Sequence, residues 1–424
     1  MDIKKLIKAI LPKEIVFEIG LNLRRLKSKK IIRQTQSHYK EVETKIRHRD
    51  GKLRVGAYAV YDTTFGACTL FDLMLAQPKK YDVKVVVIPD ISRGILYQKQ
   101  QYLATKRFFE KRFGSQFVAD GYNLDTGEFL DYSLDFDVIY CANPYDNMVN
   151  IVHGVKYLSK KNVLPIYISY GCYVDNYGYK TIMPLLEISL FWKVFADDVF
   201  SYKAYKKYEL CKGKNVLLFG YAKMDSFASF KKMVCKRKRI IIAPHHTIKN
   251  KVLPLSNFLA LSDFILELPR KYPEIEFIFR PHPLLFINMI NEGVWTDKKV
   301  EQYIANIKDS GMIYSVGGDY FDIFVNSDAI IHDCASFIYE YLFTNNPCCF
   351  VAKKGYKKVI SSLGKACLKN YTIAFNKNQI EDFVEKVVIA SKDVLRESRE
   401  HFTTKYLKLN YPSVSARILE ELLF

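Results

Sequence analysis

Short unbroken apolar runs recur along the chain at residues 53–60, 83–89, 136–141 and 163–170, and each interval leaves room for a helix. Runs of this kind are the pattern of strands buried on both faces, as a parallel sheet requires. Between them the apolar positions change to helical spacing, as at residues 98–113 and 147–159, so the first half reads as repeated βαβ units. A strand at 215–220 closes it. The alternation lapses over the basic stretch 231–239, where we place a linker. It restarts with strands at 240–243, 275–279, 312–316, 329–332 and 348–352 and helices at 255–271, 298–308 and 335–345. The pattern therefore predicts two successive Rossmann-like domains, at 51–230 and 239–395, with an amino-terminal arm over 1–50 and a helical tail over 396–424.

Length agrees with this division, because 424 residues exceed what one hydrophobic core normally supports. The arm has its own character. Residues 1–30 carry nine Lys/Arg and three Asp/Glu, with Ile3, Leu6, Ile7, Ile10 and Leu11 at helical spacing before Pro12 interrupts the pattern. A basic amphipathic helix of this type is drawn to an anionic membrane surface; the alternative is a helix packed on its own domain.

The whole chain is basic, at +19 from 64 Lys+Arg and 45 Asp+Glu, so its partners are expected to be anions. Nucleic acid is set aside, since no zinc-finger spacing, helix-turn-helix pattern or RNA-recognition aromatic signature is present. The nine cysteines fall mostly in apolar runs without paired zinc spacing and read as reduced core residues. No secretory signal or membrane-spanning run is seen, and the expected location is the cytoplasm, at the inner face of a bacterial cytoplasmic membrane.

Candidate chemistry gathers at strand ends in the second half. The strand at 275–279 runs directly into Arg280-Pro281-His282-Pro283, presenting a guanidinium fork and an imidazole that suit phosphate oxygens on a backbone fixed by proline. The run from Asp328 to Glu340 reads as strand, small-residue turn and helix. Its N–H groups at Ala335 and Ser336 form a candidate anion site, and Glu340 is placed to accept from ribose hydroxyls. Asp333 and Ser336 serve equally well as helix caps. Ala243-Pro244 leads into His245 and His246, either of which can bind phosphate or act as a base toward a hydroxyl. A metal pair is the weaker reading of these histidines, because no third histidine or acid lies nearby in sequence, and no cofactor is expected. In the first half, Asp62, Thr63 and Thr64 after the first strand, and Tyr170-Gly171 after the fourth, are strand-to-helix turns suited to an acceptor.

Taken in order, Gly220 to Asp225, Ile242-Ala243-Pro244, Arg280-Pro281-His282-Pro283 and Asp328 to Phe350 resemble the CDP-glycerol glycerophosphotransferase family of teichoic-acid and capsule enzymes. The resemblance covers roughly residues 165–352. It implies a GT-B fold of two Rossmann-like parallel-sheet domains facing a cleft, a CDP-linked nucleotide-diphosphate donor, and transfer of a phospho-alditol to a hydroxyl of a glycan or lipid-linked acceptor. It also implies that Arg280, His282, Asp333 and Ser336 surround the donor pyrophosphate. The chain departs from the family where Trp-His-Gly-Thr-Pro is replaced by Ser169-Tyr170-Gly171-Cys172-Tyr173, which removes the usual base histidine. His245, His246 and His282 then remain as candidates for catalysis. Two other readings stay open: a GT-B glycosyltransferase using a nucleotide sugar, and a noncatalytic protein bound at the membrane.

Overall fold

The computed structural model describes residues 11–317 and 320–422. The chain divides into two compact units, one formed by residues 1–171, 179–223 and 413–424, the other by 172–178 and 224–412.

The first unit is a seven-stranded, wholly parallel sheet in the order β3-β2-β1-β4-β5-β6-β7. Its strands are β1 Leu53–Ala59, β2 Tyr81–Val87, β3 Val118–Asp120, β4 Val138–Cys141, β5 Leu164–Ile168, β6 Lys193–Ala196 and β7 Val216–Leu218. β1, β4 and β5 are almost wholly buried, as their unbroken apolar sequence requires. The expected helix at 147–159 is instead broken into two 3₁₀ turns and a short helix, Val155–Leu158. Gly154 interrupts it, and Asn150 caps the second turn by accepting from the Val152 N–H.

The amino-terminal arm is a 35-residue helix, Lys13–Arg47, and it is packed on this unit rather than free. Leu21, Ile32, Thr35, Tyr39 and Val42 form its buried stripe, and the Tyr39 hydroxyl donates to the Leu190 carbonyl at 2.5 Å. Ile3, Leu6, Ile7 and Ile10 lie outside the described residues. The end of the helical tail also belongs to this unit: Val414, Ile418, Leu419 and Leu422 of the helix Val414–Leu422 join the same core as Leu70, Phe71 and Met74.

The second unit repeats the plan with six parallel strands in the order β10-β9-β8-β11-β12-β13. They are β8 Lys238–Ala243, β9 Ile275–Phe279, β10 Ile313–Tyr314, β11 Ala329–His332, β12 Cys348–Val351 and β13 Thr372–Ala374. In each unit the strand order reverses beside the first strand, at β1/β4 and β8/β11, and ligands of such sheets bind outside the carboxyl ends at that reversal. Phe279 at the end of β9 is fully buried among Phe258, Phe286 and Tyr303, with ring centroids 6.2, 6.5 and 6.1 Å away. Burying each such ring contributes about 1.5–3 kcal/mol, which anchors the residue that precedes Arg280. No helix among the described residues is long and apolar enough to cross a membrane.

Candidate functional site

The carboxyl ends of β8, β9 and β11 hold the candidate residues of the second unit. Parallel pairing places Ile242 beside Phe279, so His245 and His282 each follow three residues after a paired position. Arg280 N–H donates to the Ile242 carbonyl at 2.8 Å and His282 N–H to the Pro244 carbonyl at 3.0 Å, which extends the β8–β9 ladder through both turns. The imidazoles are thereby brought together. Ring centroids lie 4.4 Å apart for His245 and His246, 4.1 Å for His246 and His282, and 5.3 Å for His245 and His282. The third histidine that sequence proximity did not reveal is therefore His282, supplied by the neighbouring strand.

Nitrogen atoms of these three side chains lie within 4.8 Å of one another, close enough to surround a cation. Their outer hydrogen bonds argue for a different occupant. His282 Nδ1 accepts the Leu284 backbone N–H at 3.1 Å, so the neutral ring must carry its proton on Nε2. Asn288 Nδ2 lies 3.3 Å from the His246 carbonyl and 2.9 Å from His246 Nδ1. Because a carbonyl only accepts, the Asn288 amide is a donor there, and His246 too carries its proton on Nε2. Metal-bound histidines show the opposite arrangement, donating the outer N–H and offering the inner lone pair. His245 is different. Its Nδ1 meets Thr247 Oγ1 at 2.8 Å, and a hydroxyl both donates and accepts, so either tautomer is available.

All three rings are held neutral. Burial pushes His282 down to about 3, with the neighbouring His246 adding to the effect. Burial also lowers His246, and it lowers His245 well below the usual imidazole value, assisted by His246, His282 and His332. The imidazole of His282 therefore meets a phosphate as a neutral Nε2–H donor. Positive charge at this end of the sheet comes from Lys353, which follows β12 and acts on Asp333, and from Arg280, whose Nη1 donates to Ser315 Oγ at 2.8 Å and Nη2 to the Gly317 carbonyl at 2.9 Å. Gly317 has φ +69°, a conformation that costs glycine nothing and turns its carbonyl toward the guanidinium. The Tyr320 ring lies 5.5 Å from the Arg280 guanidinium carbon, within cation–π range.

Asp333 is placed differently from the expectation. It is 3% exposed, and its oxygens accept the His245 N–H at 2.6 Å and the Asn257 N–H at 2.5 Å. It clamps the His245 turn across the β8/β11 reversal and offers no charge to a phosphate, which a carboxylate would in any case repel. Glu340 is fully buried and accepts from the Tyr320 hydroxyl at 2.5 Å, so the carboxylate expected to meet a ribose is engaged within the protein. The expected helix 335–345 is a single α-turn, Phe337–Glu340, followed by the 3₁₀ turn Tyr341–Thr344, and its dipole is correspondingly small. The N–H groups of Ala335 and Ser336, and the Ser336 hydroxyl, nevertheless donate to no acceptor among the described residues. His332, which sequence reasoning passed over, is buried with Nδ1 donating to the Cys334 carbonyl at 3.1 Å and Nε2 without a partner among the described residues.

In the first unit, Asp62–Thr64 forms a 3₁₀ turn after β1, and Tyr170 and Gly171 follow β5. The structure brings these turns together. A Cβ at Gly66 would lie 2.9 Å from the Ser169 carbonyl, so only glycine permits the approach. The Tyr170 hydroxyl lies 3.3 Å from that of Tyr145, which follows β4.

No protein-family model matches the chain, and no curated protein matches it in sequence. Solved structures do. The wall teichoic acid polymerase TagF, in a structure with CDPG, superposes with a TM-score of 0.52 over 96% of both chains at 11% identity. MnaA of S. aureus, solved with UDP, gives 0.53 at 12% identity over 87% of this chain and 96% of its own. A UDP-GlcNAc 2-epimerase from Neisseria meningitidis bound to UDP-GlcNAc gives 0.50 at 12% identity, over 87% and 99%. With the two parallel sheets, these likenesses identify the fold as GT-B.

Proposed function

We propose that the chain transfers a phospho-alditol group from a CDP-activated donor to a hydroxyl of a cell-surface glycan or lipid-linked acceptor. The observation that carries this reading is the set of donors at the carboxyl ends of β8, β9 and β11. It comprises the fixed Arg280 guanidinium, Nε2–H groups on His246 and His282, and the uncommitted N–H groups of Ala335 and Ser336. Preorganised donors of this kind stabilise charge that develops on a leaving phosphate.

The acceptor oxygen attacks the β-phosphorus, the bond to the CMP oxygen breaks, and CMP leaves. The acceptor proton passes to Nε2 of His245, which alone of the three histidines can present a lone pair there. With Tyr170 in place of the family histidine, Asp62, Thr63, Thr64, Tyr170 and Gly171 are assigned to acceptor contact rather than proton transfer. Incubation with CDP-glycerol and acceptor should release CMP, with phosphorus appearing in the product. Release of a nucleoside diphosphate instead would establish the second reading, a nucleotide-sugar glycosyltransferase, which draws support from fold neighbours solved with UDP and UDP-GlcNAc.

The same reading places the protein at a membrane. Ile15, Ile19, Leu23 and Leu26 are exposed by 47, 43, 52 and 70% on the face of the helix Lys13–Arg47 opposite its buried stripe, and Lys29, Lys30 and Arg33 continue that face. Apolar residues followed by cations suit insertion at an anionic lipid surface. Leu23→Glu with Leu26→Glu should abolish co-flotation with vesicles containing phosphatidylglycerol. Undiminished flotation would remove this helix face as the contact.

A further inference from the structure

The first unit carries a second concentration of charge at the amino ends of its strands. A groove of about 450 Å³ there is lined by Arg47, Arg49, Lys52, Lys79 and Lys80, with Leu422 among its apolar walls. No carboxylate lines it among the described residues. Strand register builds the cluster. Leu53 pairs with Tyr81, and its N–H donates to the Lys80 carbonyl at 2.9 Å, so Lys52 and Lys80 enter neighbouring strands side by side. The turn before β1 passes through Gly51 at φ +109°.

Two of the five cations have carboxylate partners, Arg47 with Glu43 at 2.6 Å and Arg49 with Asp137. The ammonium groups of Lys52, Lys79 and Lys80 make no ion pair or hydrogen bond among the described residues. Like charges gathered around one concavity repel each other, and a multivalent anion relieves that repulsion more effectively than separate counterions. A cavity of this size falls within the range of small-molecule sites. β1 is seven residues long, so the groove stands about 23 Å from the turns at the strand's other end and cannot share a small ligand with them.

We propose that this groove is an anion site separate from the donor site, taking a ligand with two or more closely spaced phosphate groups. Those phosphates belong either to a soluble phosphate chain or to anionic lipid headgroups. The inference does not depend on the donor reading. The probe is inorganic tripolyphosphate, titrated calorimetrically at low salt into the full chain carrying Arg280→Ala, which weakens binding at the other anion-binding end. Adding Lys52→Ala, Lys79→Ala and Lys80→Ala should weaken binding at least tenfold without lowering Tm, and replacing the same three with arginine should restore it. A parallel arm uses phosphatidic acid vesicles. Loss of tripolyphosphate binding identifies a soluble phosphate chain as the ligand; loss of vesicle binding alone identifies headgroups. Unchanged affinity in both arms overturns the proposal.

Discussion

Arg280→Ala is expected to lower turnover by about 10³-fold, more than any other single change at the carboxyl ends of the second sheet. Removing one neutral donor from a preorganised oxyanion site typically costs about 10²–10³ in kcat, and Arg280 supplies charge as well as hydrogen bonds. The surrounding histidines cannot compensate, because burial holds His282 at about 3 and keeps it neutral at working pH. Arg280→Lys should recover only part of the loss. A lysine keeps the charge but cannot span Ser315 Oγ and the Gly317 carbonyl with one planar group, so the charge is no longer fixed in position. Arg280 is 7% exposed, and its removal leaves polar partners unsatisfied, so Tm must be measured alongside kcat and KM. A stable Arg280→Ala protein with wild-type kcat would show that Arg280 does not touch the reacting phosphate.

The strands that carry this site could be read from sequence almost to their ends. β9 and β11 have the expected bounds because each is an apolar run closed by a polar turn. β3 and β13 escaped because each is a three-residue edge strand with little burial pattern of its own. β6 escaped because Phe191 and Trp192 join it to the preceding apolar helix Leu186–Leu190 without a turn signal. The candidate residues were named from sequence, but their relations were not. Nothing local to His245 and His246 shows that His282 lies beside them; that requires knowing that β8 and β9 are neighbours in register. Nor does sequence show which nitrogen of each ring is protonated, since the deciding partners are the Leu284 N–H and the Asn288 amide. Asp333 was misplaced for a related reason. An acid after a strand in a small-residue turn looks like a ligand contact until the two backbone N–H groups that occupy it are seen.

Asp333→Ala should be the most destabilising substitution among the candidate site residues. It leaves the N–H groups of His245 and Asn257 without acceptors, at about 1–3 kcal/mol for each one that stays dry. Part of this is offset, because burial raises the Asp333 carboxyl from 3.8 to about 6, and keeping it ionised at neutral pH costs about 3 kcal/mol. The net loss at pH 7.5 is therefore expected to be no more than about 3 kcal/mol. The sign of the pH dependence follows from the raised value. The protonated form is favoured in the fold, so Asp333's titration contributes most below 3.8, and that contribution is lost as pH rises through about 6. The stability gap between wild type and Asp333→Ala should accordingly widen between pH 7.5 and pH 5. The buried histidines, lowered in the fold, destabilise both proteins below their unfolded value near 6.5 and largely cancel in the comparison. Hydrogen exchange offers a local readout, with the His245 and Asn257 amides expected to exchange faster in the variant. Unchanged protection of both amides, or a gap that narrows on acidification, would refute the role of Asp333 as the clamp joining β8 to β11.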